Sequence, residues 1–405
     1  MKTRSKKHSK PELLAPVGDF TNLRVAINAG ADAIYFGLKE FSLRSNAKNF
    51  DLKDIDKINE ICNSGNKKIK KYLTLNSIIY NNEIPKIDRI LKKIKGKIDA
   101  VICWDMSVIQ LCKKNKVPFH ISTQASISNY ETAKFYKDLG AERIVLAREL
   151  NLKQIKEIHK QVGIELETFI HGAMCLAVSG RCLMSQHLFG RSANRGECIH
   201  PCRRSYTIED TQQKKQLRIE NNHILSAKDL CTFPFIEKLK SAGITCFKIE
   251  GRNRDPRYVD TVVRIYRKAI DEKLDEKQIN EMLEELKTVY NKGFSSGFYL
   301  GSPTSDDFST TEHSDATEKK HFVGTIKNYL SKLNVAIIKL NSSVKLGDKI
   351  SIIGKTTGII NSKIESMETH GKKVSEANKG DEVGIKMPFL VRKNDEVYVI
   401  VKNKK

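Results

Sequence analysis

Long apolar runs are missing from this chain of 405 residues. No stretch of about 18 apolar residues occurs, which argues against a transmembrane helix. The basic start, MKTRSKKHSK, is followed by PELLAPVGDF and not by an apolar region. Residues 1–10 therefore read as a disordered basic tail and not as a secretory signal, and the expected compartment is the cytoplasm. No H-E-x-x-H pair is present, so the helix-borne zinc site of many metalloproteases is excluded. Nothing resembling a G-x-G-x-x-G turn follows the first strand, which disfavours a doubly wound dinucleotide-binding sheet.

What is present is positive charge and thiols. Lys plus Arg number 71 against 48 Asp plus Glu, a formal net charge of +23. Such an excess attracts polyanions, of which nucleic acid is the commonest in a cytoplasm; Lys-rich usage that follows genome composition gives the same balance. Nine cysteines without a secretion signal point to reduced thiols or metal ligands and not to a disulfide framework. The length suits one large and one small domain, and 40% apolar residues are enough for buried cores.

Continuous apolar stretches alternate with amphipathic ones from residue 11 onward. Strands are expected near Leu13, Ile34, Leu75, Ile102, Phe119, Val145, Phe169 and Phe247. Unbroken apolar strands separated by helices indicate a parallel sheet covered on its outside. Asp19 caps the first helix and Gly30 ends it; Asp255-Pro256 is a fitting start for a later one. The fold class read from this is α/β: a TIM (β/α)8-type barrel over residues 11–300 with a cysteine-rich insert at 175–231. A polar linker at 301–320 and a small C-terminal antiparallel β-barrel at 321–405, built from six short strands, complete the chain.

A TIM barrel carries its chemistry at the C-terminal ends of its strands. The polar residues placed there by the sequence are Glu40, Asn76, Asp105, Gln124, Glu149, Glu167, His171 and Glu250 with Arg252. Singly, each is more often a loop-orienting residue than a catalyst; as a convergent set they mark a candidate site. Glu149, Glu167 and Glu250 are assigned to proton handling from position alone. Arg44, Arg148, Arg181, Arg191 and Arg195 can supply the forked donors that carboxylates and phosphates need. Cys62, Cys103, Cys112 and Cys246 sit among apolar neighbours and read as core. Cys175, Cys182, Cys198 and Cys202 fall in the Gly-rich insert, and Cys231 follows in the segment SAKDLC. Their spacings do not match the short paired knuckles of structural zinc. They suit an iron–sulfur cluster gathered from distant loops, with zinc as the alternative. Gly293-Phe294-Ser295-Ser296-Gly297 matches G-x-S-x-G, but it follows a helix instead of a strand and so reads as a loop.

The stretch from Glu167 to Cys175, ETFIHGAMC, followed by SGRCLMS at 179–185, resembles the signature of the collagenase-like peptidase U32 family. PELLAPVGDFTNLRVAINAGADAIYFG, FSLRSNAKNF, HISTQASISN, SAKDLC and CFKIEGRNRDPRYV support the resemblance, which covers residues 11 to 300. It implies a [4Fe-4S] cluster on Cys175, Cys182, Cys198 and Cys231. Relatives differ in which cysteines they use, so Cys202 is able to replace one of the four. Length and the C-terminal domain look like the branch that makes 5-hydroxyuridine at the tRNA wobble position. That likeness implies tRNA as partner, prephenate or a similar small carboxylate as hydroxyl source, and in parts of the family a paralogous U32 subunit. The candidate catalytic groups remain Glu149, Glu167, His171 and Glu250, chosen from their places at strand ends. Arg44, Asn49, Gln124, Arg148, Arg181 and Arg252 are the candidate substrate-binding residues. Hydroxylation of ribosomal RNA and metal-dependent peptidase activity are the alternatives.

Overall fold

The computed structural model describes residues 10–45, 47–204, 206–219, 225–311 and 313–403. All of the expected basic tail except Lys10 lies outside the described residues. Eight parallel strands form the barrel: β1 (Glu12–Pro16), β2 (Ala33–Gly37), β3 (Lys70–Thr74), β4 (Ala100–Cys103), β5 (Phe119–Ile121), β6 (Arg143–Val145), β7 (Glu165–Gly172) and, after the insert, β11 (Cys246–Ile249). The insert contributes β8 (Tyr206–Asp210), β9 (Lys215–Ile219) and β10 (Asp229–Cys231). Each barrel strand pairs with the next in sequence, and β11 closes the ring by pairing with both β7 and β1, where Phe247 meets Thr168 and Leu13. All eight strands fall where the apolar runs place them.

Between the strands lie α1 (Phe20–Asn28), α2 (Ile55–Asn63), α3 (Ile84–Ile94), α4 (Met106–Asn115), α5 (Tyr130–Asp138) and α6 (Leu152–Val162). The insert adds α7 (Met184–Phe189); α8 (Ile236–Ser241), α9 (Pro256–Asp271) and α10 (Glu276–Lys287) follow. Helical spacing buries one stripe of each, as with Ile87, Ile90, Leu91 and Ile94 on α3. Every such fully buried aliphatic side chain contributes roughly 1.5–3 kcal/mol. Asp19 accepts from Asn22 N–H at 2.8 Å and Asp255 from Tyr258 N–H at 3.0 Å, the caps expected for α1 and α9. Cys62, Cys103 and Cys112 are buried in the layer between strands and helices, and Cys246 in the barrel interior.

The floor of the barrel, at the N-terminal ends of its strands, is ionic. Arg143 bonds Glu12 at 2.7 Å, Glu165 at 2.7 Å and Glu167 at 3.4 Å. Lys70 holds Glu12 and Lys248 holds Glu167, both at 2.8 Å. Burial raises the Glu12 carboxyl, but the Arg143 and Lys70 cations more than offset it and hold it below the usual range.

Residues 301–320, expected as a linker, are bound to the barrel by backbone hydrogen bonds. Ser309 N–H donates to Ser226 C=O at 2.7 Å and Thr317 N–H to Lys287 C=O at 2.9 Å. Two-residue β12 (Phe294–Ser295) lies just before them. The small domain follows, beginning at β13 (Glu318–Leu330) and β14 (Val335–Leu340), with β15 (Val344–Lys345), β16 (Lys349–Gly354) and β17 (Gly358–Lys363) next. It ends with β18 (Met367–Thr369), β19 (Lys372–Lys373), β20 (Glu376–Ala377), β21 (Glu382–Lys386) and β22 (Glu396–Lys402). Eight of these form one antiparallel sheet in the order β17-β16-β22-β13-β14-β21-β18-β19, around its own apolar core; β15 and β20 pair separately. Among the described residues no ladder joins β17 to β19. The domain docks through β17 on α1 and α9, and Arg257 bonds Glu318 at 2.8 Å across the junction.

Candidate active site

β7 does not stop at the barrel rim but runs on to Gly172, whose φ of +103° turns the chain sharply. A Cβ here would lie 2.6 Å from Glu250 C=O, so only glycine fits both the angle and the space. Cys175 follows three residues later. A cavity of about 430 Å³ opens above it, with Cys175, Cys182, Cys198 and Cys202 in its wall and Arg44 and Glu250 on the barrel side. Met184 N–H approaches Cys182 Sγ at 3.4 Å. Buried Ser185 donates its hydroxyl to Cys198 Sγ at 3.8 Å and accepts from Ile199 N–H at 3.3 Å, tying the α7 turn to the third cysteine. Burial pushes the Cys202 thiol up, and the other three cysteines add to that by like charge. Four soft thiols from separate loops on one wall are a donor set suited to iron–sulfur or zinc. Among the described residues, no three His, Cys, Asp or Glu side chains are grouped closely enough to hold a metal ion.

Cys231, expected as a ligand, is not brought to this cavity. It sits in β10, paired antiparallel to β7 opposite His171, with its thiol buried 3.9 Å from the Tyr266 hydroxyl. Burial pushes its pKa up to about 11. Cys202 lines the cavity with Cys175, Cys182 and Cys198.

The loop carrying Arg44 is fastened to the cysteine insert. Ser45 N–H donates to Gly196 C=O at 3.0 Å, and a Cβ at Gly196 (φ +97°) would lie 2.6 Å from Ser42 C=O. Arg195 anchors the same turn, donating to Ile78 C=O at 2.7 Å and pairing with Glu83. From this loop Arg44 reaches Glu250 at 3.3 Å. Burial alone would raise the Glu250 carboxyl, yet Arg44, Arg148, Arg252 and Lys248 together hold it below its ordinary value. Glu250 is thus a buried, ionised carboxylate outnumbered by cations. Arg148 lies over the Phe169 ring at 4.0 Å and donates to Ala173 C=O at 2.8 Å, while its buried Nε has no partner. Arg252 donates to Ser42 and Thr74 hydroxyls at 2.8 and 2.9 Å; burial lowers its pKa to about 10.

Gln124 also lines the mouth and donates to Ser179 C=O at 2.9 Å, and Arg181 donates to Gln124 C=O at 3.0 Å while lying over Trp104. Both therefore join the insert to the barrel. Asn49 is buried and donates to Arg44 C=O at 3.1 Å, shaping the Arg44 loop instead of facing the cavity. Glu167 is a correction: it is 0% exposed in the floor network, because β7 continues five residues beyond it. His171 is a second. Its ring is packed among Tyr258, Tyr266 and Phe294, it is absent from the cysteine cavity wall, and burial lowers its pKa to about 3. Glu40 pairs with Lys86 at the surface, and Asp105 caps α4. Glu149 is exposed at the edge of a second cavity of about 400 Å³ that shares Cys175 and Met174 with the first.

That second cavity also holds Ser295 of the G-x-S-x-G match. Its hydroxyl bonds the Asp307 carboxylate and accepts from Gly297 N–H at 3.0 Å, which makes it a turn lock. The sequence reading missed His200, Arg203 and Lys292, all of which line the cysteine cavity. His200 and Arg203 flank Cys202, so proximity to that thiol was the available signal. Burial takes the His200 pKa down to about 4 and that of Lys292 down to about 8.

A model of peptidase family U32 matches residues 18–309 of this chain. An uncharacterized protease of Methanocaldococcus jannaschii is 40% identical over 402 residues, covering 96% of this chain and 98% of that protein. A collagenase of Porphyromonas gingivalis is 40% identical over 405 residues, with 96% and 97% covered. tRNA hydroxylation protein P1 of Bacillus subtilis is 36% identical over 356 residues, with 85% and 84% covered. With its barrel and insert spanned by the family model and relatives alike along nearly their whole length, the chain belongs to peptidase family U32.

Proposed function

We propose that this chain is an RNA hydroxylase acting on tRNA, with 5-hydroxyuridine at the wobble position as product and prephenate or a similar small carboxylate as hydroxyl source. Cys175, Cys182, Cys198 and Cys202 would hold a [4Fe-4S] cluster. The observation that carries the reading is the meeting of four thiols with a cation-rich barrel mouth in one cavity wall. The name of the Bacillus subtilis relative and the net charge of +23 support an RNA substrate. When bound, the cluster supplies one-electron redox capacity beside the mouth.

The chain's own residues do the rest. Arg148, with its unpartnered Nε, and Arg44 offer donors to a carboxylate. Glu250, kept ionised, holds Arg44 in place and can take a proton at its carboxylate. A base must leave its stack to reach a cavity of this depth, so the substrate is an unpaired or flipped nucleotide. The test is nucleoside mass spectrometry of tRNA from a deletion strain, with iron and sulfide assayed in anaerobically purified protein. Unchanged hydroxyuridine with no other gene supplying it, or zinc in place of iron, removes the reading.

The collagenase name of one relative favours a peptidase as second reading. It requires proteolysis by highly purified protein that is abolished in Cys175→Ala; activity that survives the substitution belongs to a contaminant.

A further inference from the structure

A groove of about 880 Å³ lies away from the thiols, between the barrel and the small domain. Its barrel wall carries Lys48 and Arg254; its other wall carries Lys320, Lys355, Lys393 and the half-buried ring of Tyr398. Four carboxylates also line the groove: Asp19 pairs with Lys48 at 2.9 Å and Asp255 with Lys320 at 3.5 Å, while Asp395 and Glu396 accept from the Thr357 and Tyr398 hydroxyls. Lys355 and Lys393 are exposed, and neither is drawn into an ion pair among the described residues. Lys320 also lies over Tyr398, which packs edge-on against Phe322 at 5.6 Å. Asn253 and Arg254 line both this groove and the cysteine cavity, so the two spaces share a wall.

We infer that this interdomain groove is the track for the sugar–phosphate backbone of the RNA whose base enters the cysteine cavity. The inference rests on the RNA reading above and adds where the strand lies and why the small domain is there. Exposed lysines on an open surface suit a string of phosphates better than a single enclosed anion, and an aromatic face among them suits an unpaired base. Arg254 stands where strand and base part company. It is held in place by the Tyr290 ring at 3.4 Å and so points a fixed charge toward the junction.

The experiment is fluorescence anisotropy of the full chain with a labelled anticodon stem-loop RNA over a salt series. Wild type is compared with K48Q/K355Q/K393Q and with K153Q/K156Q/K160Q, three exposed changes on α6, which contributes nothing to the groove. The groove variant should bind tenfold or more weakly at about 0.1 M salt, and its log–log salt slope should fall by about 2, near 0.7 to 1 for each phosphate no longer neutralised. The α6 variant should stay within about twofold of wild type. Polyglutamate at equal charge should not compete. Wild-type affinity and slope in the groove variant overturn the groove alone, as does equal weakening in both variants or equal competition by polyglutamate. No RNA binding by wild type overturns the groove and the RNA reading together.

Discussion

The two ends of the barrel interior are both charged, and they are charged differently. At the floor three carboxylates, Glu12, Glu165 and Glu167, meet three cations, Lys70, Arg143 and Lys248, in direct bonds. At the mouth one carboxylate, Glu250, faces Arg44, Arg148 and Arg252. A balanced buried network satisfies itself and has nothing left to offer a ligand. An unbalanced one keeps donor capacity in reserve, as the unpartnered Nε of Arg148 shows. Charge balance, more than charge, separates scaffold from site here.

The largest effect is expected from the thiols above the mouth. Cys202→Ser should abolish stoichiometric iron and hydroxylation, whereas Cys231→Ser should leave iron content unchanged; iron analysis that finds the reverse restores Cys231 as a ligand. Next comes the floor. Arg143→Ala removes the cation shared by Glu12 and Glu167, leaving them to Lys70 and Lys248 alone, and should cost about 3–5 kcal/mol in a denaturant melt. Arg148→Ala at the mouth should cost less stability and more activity. A similar loss of stability in both would erase the contrast between the two ends.

Acid separates two further groups. His171 has a folded pKa of about 3 against an ordinary 6.5, so below pH 6.5 the unfolded chain takes up a proton that the folded chain refuses. Stability should fall with falling pH, by about 2 kcal/mol at pH 5, and His171→Phe should flatten that slope. Glu250 works in a lower window. Its folded value is depressed, so its contribution is present above the ordinary carboxylate range and is lost as pH falls through the folded value. Glu250→Gln should alter only that lower limb. Smallest is Gly172→Ala, expected to cost about 1–3 kcal/mol through the left-handed angle and the Glu250 carbonyl. Its activity loss should exceed its stability loss, since it displaces the mouth.

The barrel was legible because its strands are unbroken apolar runs and its helices announce their ends, as Asp19 and Gly30 do for α1. The insert was legible as a place for thiols, but not in which thiols meet. Cys231 lies in a segment that pairs with β7 only after the chain has folded back, a pairing no local pattern encodes. Glu167 falls at the floor and not the mouth for a related reason. The sequence shows that a strand passes through ETFIHG but not where along it the rim falls. The small domain's main strands carry alternating apolar residues, while two-residue pieces such as β15 and β20 are too short to carry any period.

The bond from Ser45 to Gly196 has a thermodynamic consequence. It makes the arginine loop and the cysteine insert one mechanical unit, so order gained by either is shared by the other. On the function proposed here, occupancy of the thiols would raise the affinity of the mouth for a carboxylate, and by linkage the carboxylate would raise retention of what the thiols hold by the same factor. Loss of one ligand during purification would accordingly loosen the grip on the second.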